Sequence, residues 1–176
     1  MVVSDGSYKD TFGTAAWILL AEDTGAYIQG CVLCPGAEAD HSSYRSELAG
    51  IYSVLTVARK LCDFYNITEG CLKIGCDGLS AINTSLHTEP ILTTDGSNFD
   101  LIAAIYTIRG ALPIAVIPHF VKGHQDNTPD PLDIWAQLNV QMDALAKQHL
   151  QFAVNAPRHF SVLGEPWQFW VKGQKV

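Results

Sequence analysis

The stretch that decides the fold is "LKIGCDGLSAIN", residues 72–83. Leu72, Ile74 and Cys76 alternate with Lys73, Gly75 and Asp77, the two-residue period of a strand with one buried face. Gly78 ends that pattern, and residues 79–86 continue as a helix. The strand therefore gives way to a helix at a bare carboxylate on the rim of the core. An Asp-Gly pair is also a common turn former, so Asp77 acquires a chemical role only if other groups reach it.

With 176 residues the chain is long enough for one domain with a proper core. A hydrophobic content of 48% against 16% charged residues describes a globular protein rather than a disordered one. Every apolar run is shorter than the roughly 18 residues a membrane span needs. The opening "MVVSDGSYKD" lacks the basic region and long apolar core of a cleavable signal. These features predict an intracellular protein, cytoplasmic or nuclear, with no membrane partner. The five cysteines (Cys31, Cys34, Cys62, Cys71 and Cys76) are an odd set in or beside apolar segments and read as buried free thiols. "CVLC" has metal-ligand spacing but lacks a second pair nearby. A net charge of −7 without any basic run excludes binding through a broad basic face. Clustered acids that hold cations keep phosphate-bearing partners in play.

Outward from residues 72–83, "MVVSD" reads as a short strand ending at Asp5. "TAAWILLAEDTGAYIQGCVL" reads as a hairpin hinged at residues 22–25. Leu48, Ile51, Tyr52, Leu55, Ala58 and Cys62 recur at helical spacing between Tyr44 and Cys62. Residues 99–109 are helical, and "IAVIPHFV" is a strand that Pro118 assigns to a sheet edge. The last helix has Asp130 as a cap, Pro131 at its first position, Asp133 in the first turn, and a stripe of Leu138, Met142, Leu145 and His149. The order of elements predicts an α/β domain built on a mixed sheet. A first strand so close to Met1 predicts a domain cut from a longer chain.

Three further acids occupy places comparable to Asp77. Asp5 follows "VVS" as Asp77 follows "KIGC", and adjacent strands bring such ends together, where ligand sites of α/β sheets gather. Glu47 lies early in the long helix, on the flank of its apolar stripe. Asp143 follows Asn139 by one helical turn, so carboxylate and amide share a face. Each has an ordinary reading as a turn former, a helix-end charge or a solvated acid. Four carboxylates on one rim would repel strongly unless divalent cations neutralised them. Magnesium prefers oxygen ligands and often completes its coordination with phosphate, and a pair of such ions stabilises both oxygens of a phosphodiester displacement.

The segments "VVSDGS", "SSYRSELAGI", "KIGCDGLSAI", "HFVKGHQDN" and "LNVQMDALAK" stand in this order over residues 2–149. Together they resemble the ribonuclease H family (type 1-like), in particular the domains attached to retroelement reverse transcriptases. The resemblance implies a ribonuclease H-like fold: an α/β domain over residues 1–152, with a five-stranded mixed β-sheet flanked by helices. It implies hydrolysis of the RNA strand of RNA/DNA hybrids, as an endonuclease leaving 5′-phosphates, by two Mg2+ ions for which Mn2+ substitutes. Asp5, Glu47, Asp77 and Asp143 would be the metal ligands, and His124 would shuttle a proton or help product leave. Gly6, Ser7, Ser43, Arg45 and Asn139 would contact substrate. The partners implied are an RNA/DNA hybrid and a tethered reverse transcriptase, with the isolated domain a monomer.

The pattern departs from the family at several places. Ser42, Ser43 and Tyr44 replace the family's asparagines before the helical Glu, while Arg45 is kept, and Leu79 replaces a glutamine. "HTEPILTTDGSN" has neither Lys nor Arg where bacterial enzymes carry a basic protrusion. Because RNA is told from DNA through 2′-hydroxyl contacts, these changes bear on strand choice. Asp126 reads as a solvated loop acid. Residues 153–176 form an aromatic tail, read as a packing segment or the start of a next region, whose Trp167, Phe169 and Trp170 have the alternative reading of base stacking beside Lys172 and Lys175. A catalytically weak or inactive hybrid-binding or structural module is the alternative to an enzyme. A two-metal exonuclease or transposase fits poorly, since the first strand gives "SDGSY" rather than Asp-x-Glu.

Overall fold

The computed structural model describes residues 1–87, 98–123, 125, 131–153, 159–160, 170–171 and 174–175. The chain opens with β1 (Val2–Lys9) and β2 (Phe12–Leu20), antiparallel strands paired from Val2 against Leu19 to Lys9 against Phe12. Only Asp10 and Thr11 separate them, with φ of 51° and 72°. Positive φ at both positions is the two-residue turn whose twist suits a hairpin. The first strand therefore does not stop at Asp5: pairing with β2 carries it four residues further, and Asp5 sits mid-strand opposite Ala16. The predicted second hairpin forms between β2 and β3 (Tyr27–Leu33).

After the two-residue β4 (Gly36–Ala37) comes α1 (Ser43–Tyr65). Ser42 caps it by accepting the Arg45 N–H at 3.1 Å, and Asn66 closes it in the left-handed region at φ 54°. Then follow β5 (Cys71–Cys76), α2 (Leu79–Ile82), α3 (Phe99–Ala111) and the edge strand β6 (Ala115–Phe120). Residues 83–87 extend α2 as a wider π turn, where the Thr84 and Ser85 hydroxyls donate back to the carbonyls of Ser80 and Ala81. Next is α4 (Ile134–Ala153), which starts later than predicted. Asp133 is its cap, with Oδ1 accepting the Ala136 N–H at 2.8 Å; Pro131 precedes the helix, and Asp130 lies outside the described residues. In the tail, β7 (His159–Phe160) pairs with β4, and β8 (Trp170–Val171) with β9 (Gln174–Lys175); Trp167 and Phe169 lie outside the described residues.

The five-stranded sheet has the order β3-β2-β1-β5-β6. The first three strands are antiparallel, whereas β5 runs parallel to both β1 and β6. Alternation sorts the side chains into two cores. Val2, Ala15, Trp17, Leu72 and Ile74 face α1 and α3, and Val3, Ala16 and Ile18 face Leu138, Met142 and Ala146 of α4. Burial of these residues on both faces is what holds the helices to the sheet, at about 25 cal/mol per Å² of apolar surface. Thr14 also pins α4, its hydroxyl donating to the Ala146 carbonyl at 2.7 Å.

The same alternation separates the "CVLC" thiols, with Cys31 on the α4 side and Cys34 on the α1 side, so they do not form a ligand pair. All five cysteines are free, and Cys71, at the open start of β5, is exposed rather than buried. No helix among the described residues is long and apolar enough to cross a membrane.

Candidate active site

Strands β1 and β5 are paired in parallel only at Val2–Ile74 and Val3–Gly75. Two residues further along that register stand Asp5 and Asp77, where β5 has ended and β1 continues with β2. The divergence opens a cleft of about 410 Å³ on the rim of the sheet. Asp5, Glu47, Asp77 and Asp143 all line it, each delivered by a different element. Gly6, Ser7, Ser43 and Asn139 line it as well.

Asp5 is 5% exposed, and its Oδ2 accepts the Asn139 side-chain amide at 3.0 Å. That bond ties β1 to α4 and fixes one carboxylate oxygen, which explains why Asn139 is buried on the same face as Asp143. Burial, followed by the charges of Glu47, Asp77 and Asp143, pushes the Asp5 carboxyl up to about 9. Burial and the Asp77 charge push Glu47 up to about 7, although the Cys76 thiol, donating to Glu47 Oε2 at 3.2 Å, favours its charged form. Asp143 is held by Lys147 one turn on, whose ammonium donates at 2.6 Å. Lys147 lines the cleft too, so one cation of the chain already partly balances the outer acid.

The grouped side chains could hold a divalent cation, through the two carboxylates for a hard one. One carboxylate oxygen each from Glu47 and Asp77, with Cys76 Sγ, lie within 4.8 Å of one another. The walls around them are bare backbone. A Cβ at Gly123 would fall 2.5 Å from Asp77 Oδ2, and one at Gly6 or Gly78 would fall 2.9 Å from the Glu47 side chain. Both carboxyls are raised first by burial and then by repulsion from the neighbouring acids, so a bound cation would relieve the second cause.

Arg45 is not in the cleft. Its side chain is 2% exposed and forks onto the Asp100 carboxylate, with Nε donating to the Pro35 carbonyl at 2.6 Å. It joins the start of α1 to the start of α3, so its expected contact with substrate is corrected to a structural one: at this helix position the side chain points into the protein, whereas Ser43 and Glu47 point out. His124 and Asp126 lie outside the described residues. Sequence reasoning passed over Tyr8, Val140 and Lys147, which also line the cleft. Tyr8 was hidden by ending the first strand at Asp5, and Lys147 could have been found as the basic residue one turn after Asp143.

A five-stranded mixed sheet in this order, with α1 and α3 on one face and α4 on the other, defines the ribonuclease H-like fold, and the chain has it. Compared by sequence, the chain matches no protein-family model and no curated protein. Compared by structure, it is similar to ribonuclease H1 from the halophilic archaeon Halobacterium salinarum, with a TM-score of 0.59 at 12% identity over 86% of this chain and 96% of that one. It is also similar to LC11-RNase H1, isolated from compost by a metagenomic approach and solved in complex with an RNA/DNA hybrid, with a TM-score of 0.61 at 9% identity over 87% and 97% of the two chains. A third likeness is to the N-terminal RNase H domain of a Mycobacterium tuberculosis protein, with a TM-score of 0.57 at 14% identity over 88% and 96%.

Proposed function

We propose that the chain is a metal-dependent endonuclease that cuts the RNA strand of RNA/DNA hybrids. The observation that carries this reading is the convergence of Asp5, Glu47, Asp77 and Asp143 on one cleft where β1 and β5 diverge. The shared fold supports it, since one structural neighbour was solved with such a hybrid. Asp5, Glu47, Asp77 and Asp143 would hold two divalent ions, Mg2+ or Mn2+. When bound, these supply Lewis-acid stabilisation of the phosphodiester oxygens and a water of lowered pKa.

The chain's own groups do the rest. Asn139 fixes the rotamer of Asp5, whose side chain lines the cleft. The Cys76 thiol holds Glu47 Oε2 in the same way. Lys147 keeps Asp143 from swinging away while its ammonium adds positive charge beside an incoming phosphate. Hydroxyls of Ser7 and Ser43 on the cleft wall are the groups able to reach sugar 2′-hydroxyls, in place of the family's amides. Gly123, against Asp77, precedes His124 in sequence, which supports His124 as a proton carrier for this site. Given the resemblance of these segments to the domains of retroelement reverse transcriptases, a tethered polymerase would raise the local concentration of hybrid for a domain with net charge −7.

The test is cleavage of end-blocked RNA/DNA hybrid, double-stranded RNA and single-stranded RNA with Mg2+ and with Mn2+. Internal cuts in the hybrid alone, with 5′-phosphate ends and loss in Asp77→Asn, are expected. A hybrid left intact across metal concentrations rejects the proposal.

A further inference from the structure

We propose that the outer edge of β3 is a self-association surface, where a second copy of this chain adds its own β3 in antiparallel pairing and the two sheets become one. β3 is an edge strand: it pairs with β2, and among the described residues no strand pairs with its other side. Alternate residues therefore turn N–H and C=O groups outward, the pattern that accepts a further strand. Folds guard such an edge with a lysine, a proline or a bulge. The opposite edge of this sheet has a guard, since Pro118 in β6 has no N–H to give. The seven residues of β3, "YIQGCVL", have neither charge nor proline, and their register against β2 is unbroken, so no bulge bends the strand away. Its outer half is also apolar surface in water, with Tyr27 60% and Ile28 42% exposed.

The strand is complementary to itself, which is why the occupant is another β3. A two-fold axis through Gly30 uses all seven residues and sets Tyr27 opposite Leu33 of the second copy, Ile28 opposite Val32 and Gln29 opposite Cys31. Every facing pair is uncharged, and the Tyr27–Leu33 and Ile28–Val32 pairs cover the apolar surface that one copy leaves in water. Nothing protrudes at the centre: the Trp17 ring lies over Gly30 within its own copy, where a Cβ would fall 2.6 Å from Trp17 Cζ2. A seven-residue pairing buries less than the roughly 1,200 Å² at which standard interfaces begin, so the dimer is of the transient, concentration-dependent class. Each copy has a net charge of −7, so added salt screens their repulsion and strengthens the pairing. The cleft opens between β1 and β5, away from this edge, so the inference does not rest on the nuclease reading and either can fail alone.

The test is sedimentation velocity of the full chain over a few-hundred-fold range of loading concentration, at about 50 mM and about 500 mM NaCl. The expected result is a mass that climbs towards twice that of one chain, and does so at lower concentration in the higher salt. Ile28→Lys and Tyr27→Lys, both at exposed positions, each raise the dissociation constant about tenfold or more while melting with the wild type, and the second gives the answer if the first does not fold. Register is read in a Cys71→Ser background, which removes the exposed thiol. There Gln29→Cys, facing Cys31 of the second copy across about 5 Å, joins the two chains under oxidised glutathione, and adding Cys31→Ser abolishes the joining. A chain monomeric throughout, a dimer that salt dissociates, one that both lysine variants leave intact, or one that Gln29→Cys fails to join overturns the proposal.

Discussion

Replacing Asp5 by Asn isolates the electrostatics on which the site depends. Asp5 is buried beside Glu47, Asp77 and Asp143, and its carboxyl titrates near 9 instead of the 3.8 of an unperturbed Asp. The folded chain therefore binds this proton more tightly than the unfolded chain. Stability is full below the unfolded value and is lost as pH rises from about 4 towards 9, the reverse of an ion-paired carboxylate. At pH 7 the loss is about 3 pH units at ~1.4 kcal/mol each, or about 4 kcal/mol. Asn has the same shape and still accepts the Asn139 amide, but it does not titrate. In chelator, Asp5→Asn should match the wild type near pH 4 and melt about 8–16 °C higher at pH 7, since 1 kcal/mol moves Tm by about 2–4 °C in a chain of this size. Divalent cation should close the gap by stabilising only the wild type, and more so at higher pH, because the ion competes with the bound protons. Thermal melts of both proteins across this range, with chelator and with Mg2+ or Mn2+, provide the measurement. A Tm difference independent of pH, or equal stabilisation of both proteins by cation, would refute the argument.

Asp77→Asn should lower hybrid cleavage at least about 100-fold while circular dichroism and melting stay those of a folded protein. Arg45→Ala should cost about 1–3 kcal/mol, read as a lower denaturation midpoint, because it strands the Pro35 carbonyl and removes the buried partner of the half-exposed Asp100 carboxylate. At a temperature where that variant is folded its Michaelis constant for hybrid should be unchanged, since the side chain lies outside the cleft; a rise would return Arg45 to the substrate contacts. Gly123→Ala sets a methyl 2.5 Å from Asp77 Oδ2, so calorimetric affinity for divalent ion should fall about tenfold with little change in Tm.

The sheet and its helices were legible wherever burial is one-sided. The 72–76 alternation, the stripe of α1 and the edge position of the Pro118 strand all follow from which face meets the core. Legibility failed where a choice depends on a partner strand or a single hydrogen bond. Nothing local to "SDGSYKD" tells that β2 will carry β1 past Asp5, because its turn uses Asp10 and Thr11 rather than a glycine pair. The start of α4 moved because Asp133 and Asp130 are equally good caps in sequence, and only Asp133 is seen to accept the Ala136 N–H. Arg45 was misread for a related reason. The family resemblance places it among the substrate contacts, but two positions before Glu47 on a helix is a different face, and its direction is set by Asp100, 55 positions away.

The longer first strand bears on the chemistry as well as the topology. Were β1 to end at Asp5, that carboxylate would sit on a free strand end with water around it, and like charges there would be screened cheaply. Because β1 continues to Lys9 in pairing with β2, Asp5 is fixed mid-strand and covered by α4 through Asn139. Only on the β5 side does pairing stop, after Val3 and Gly75, so the strand is rigid on one edge and open on the other. A buried acid that cannot relax away from its neighbours keeps a high pKa, and a cation is the ligand that lowers the energy of such a group most. The hairpin thus holds Asp5 in place, and the split beside it supplies the room in which it meets Glu47, Asp77 and Asp143.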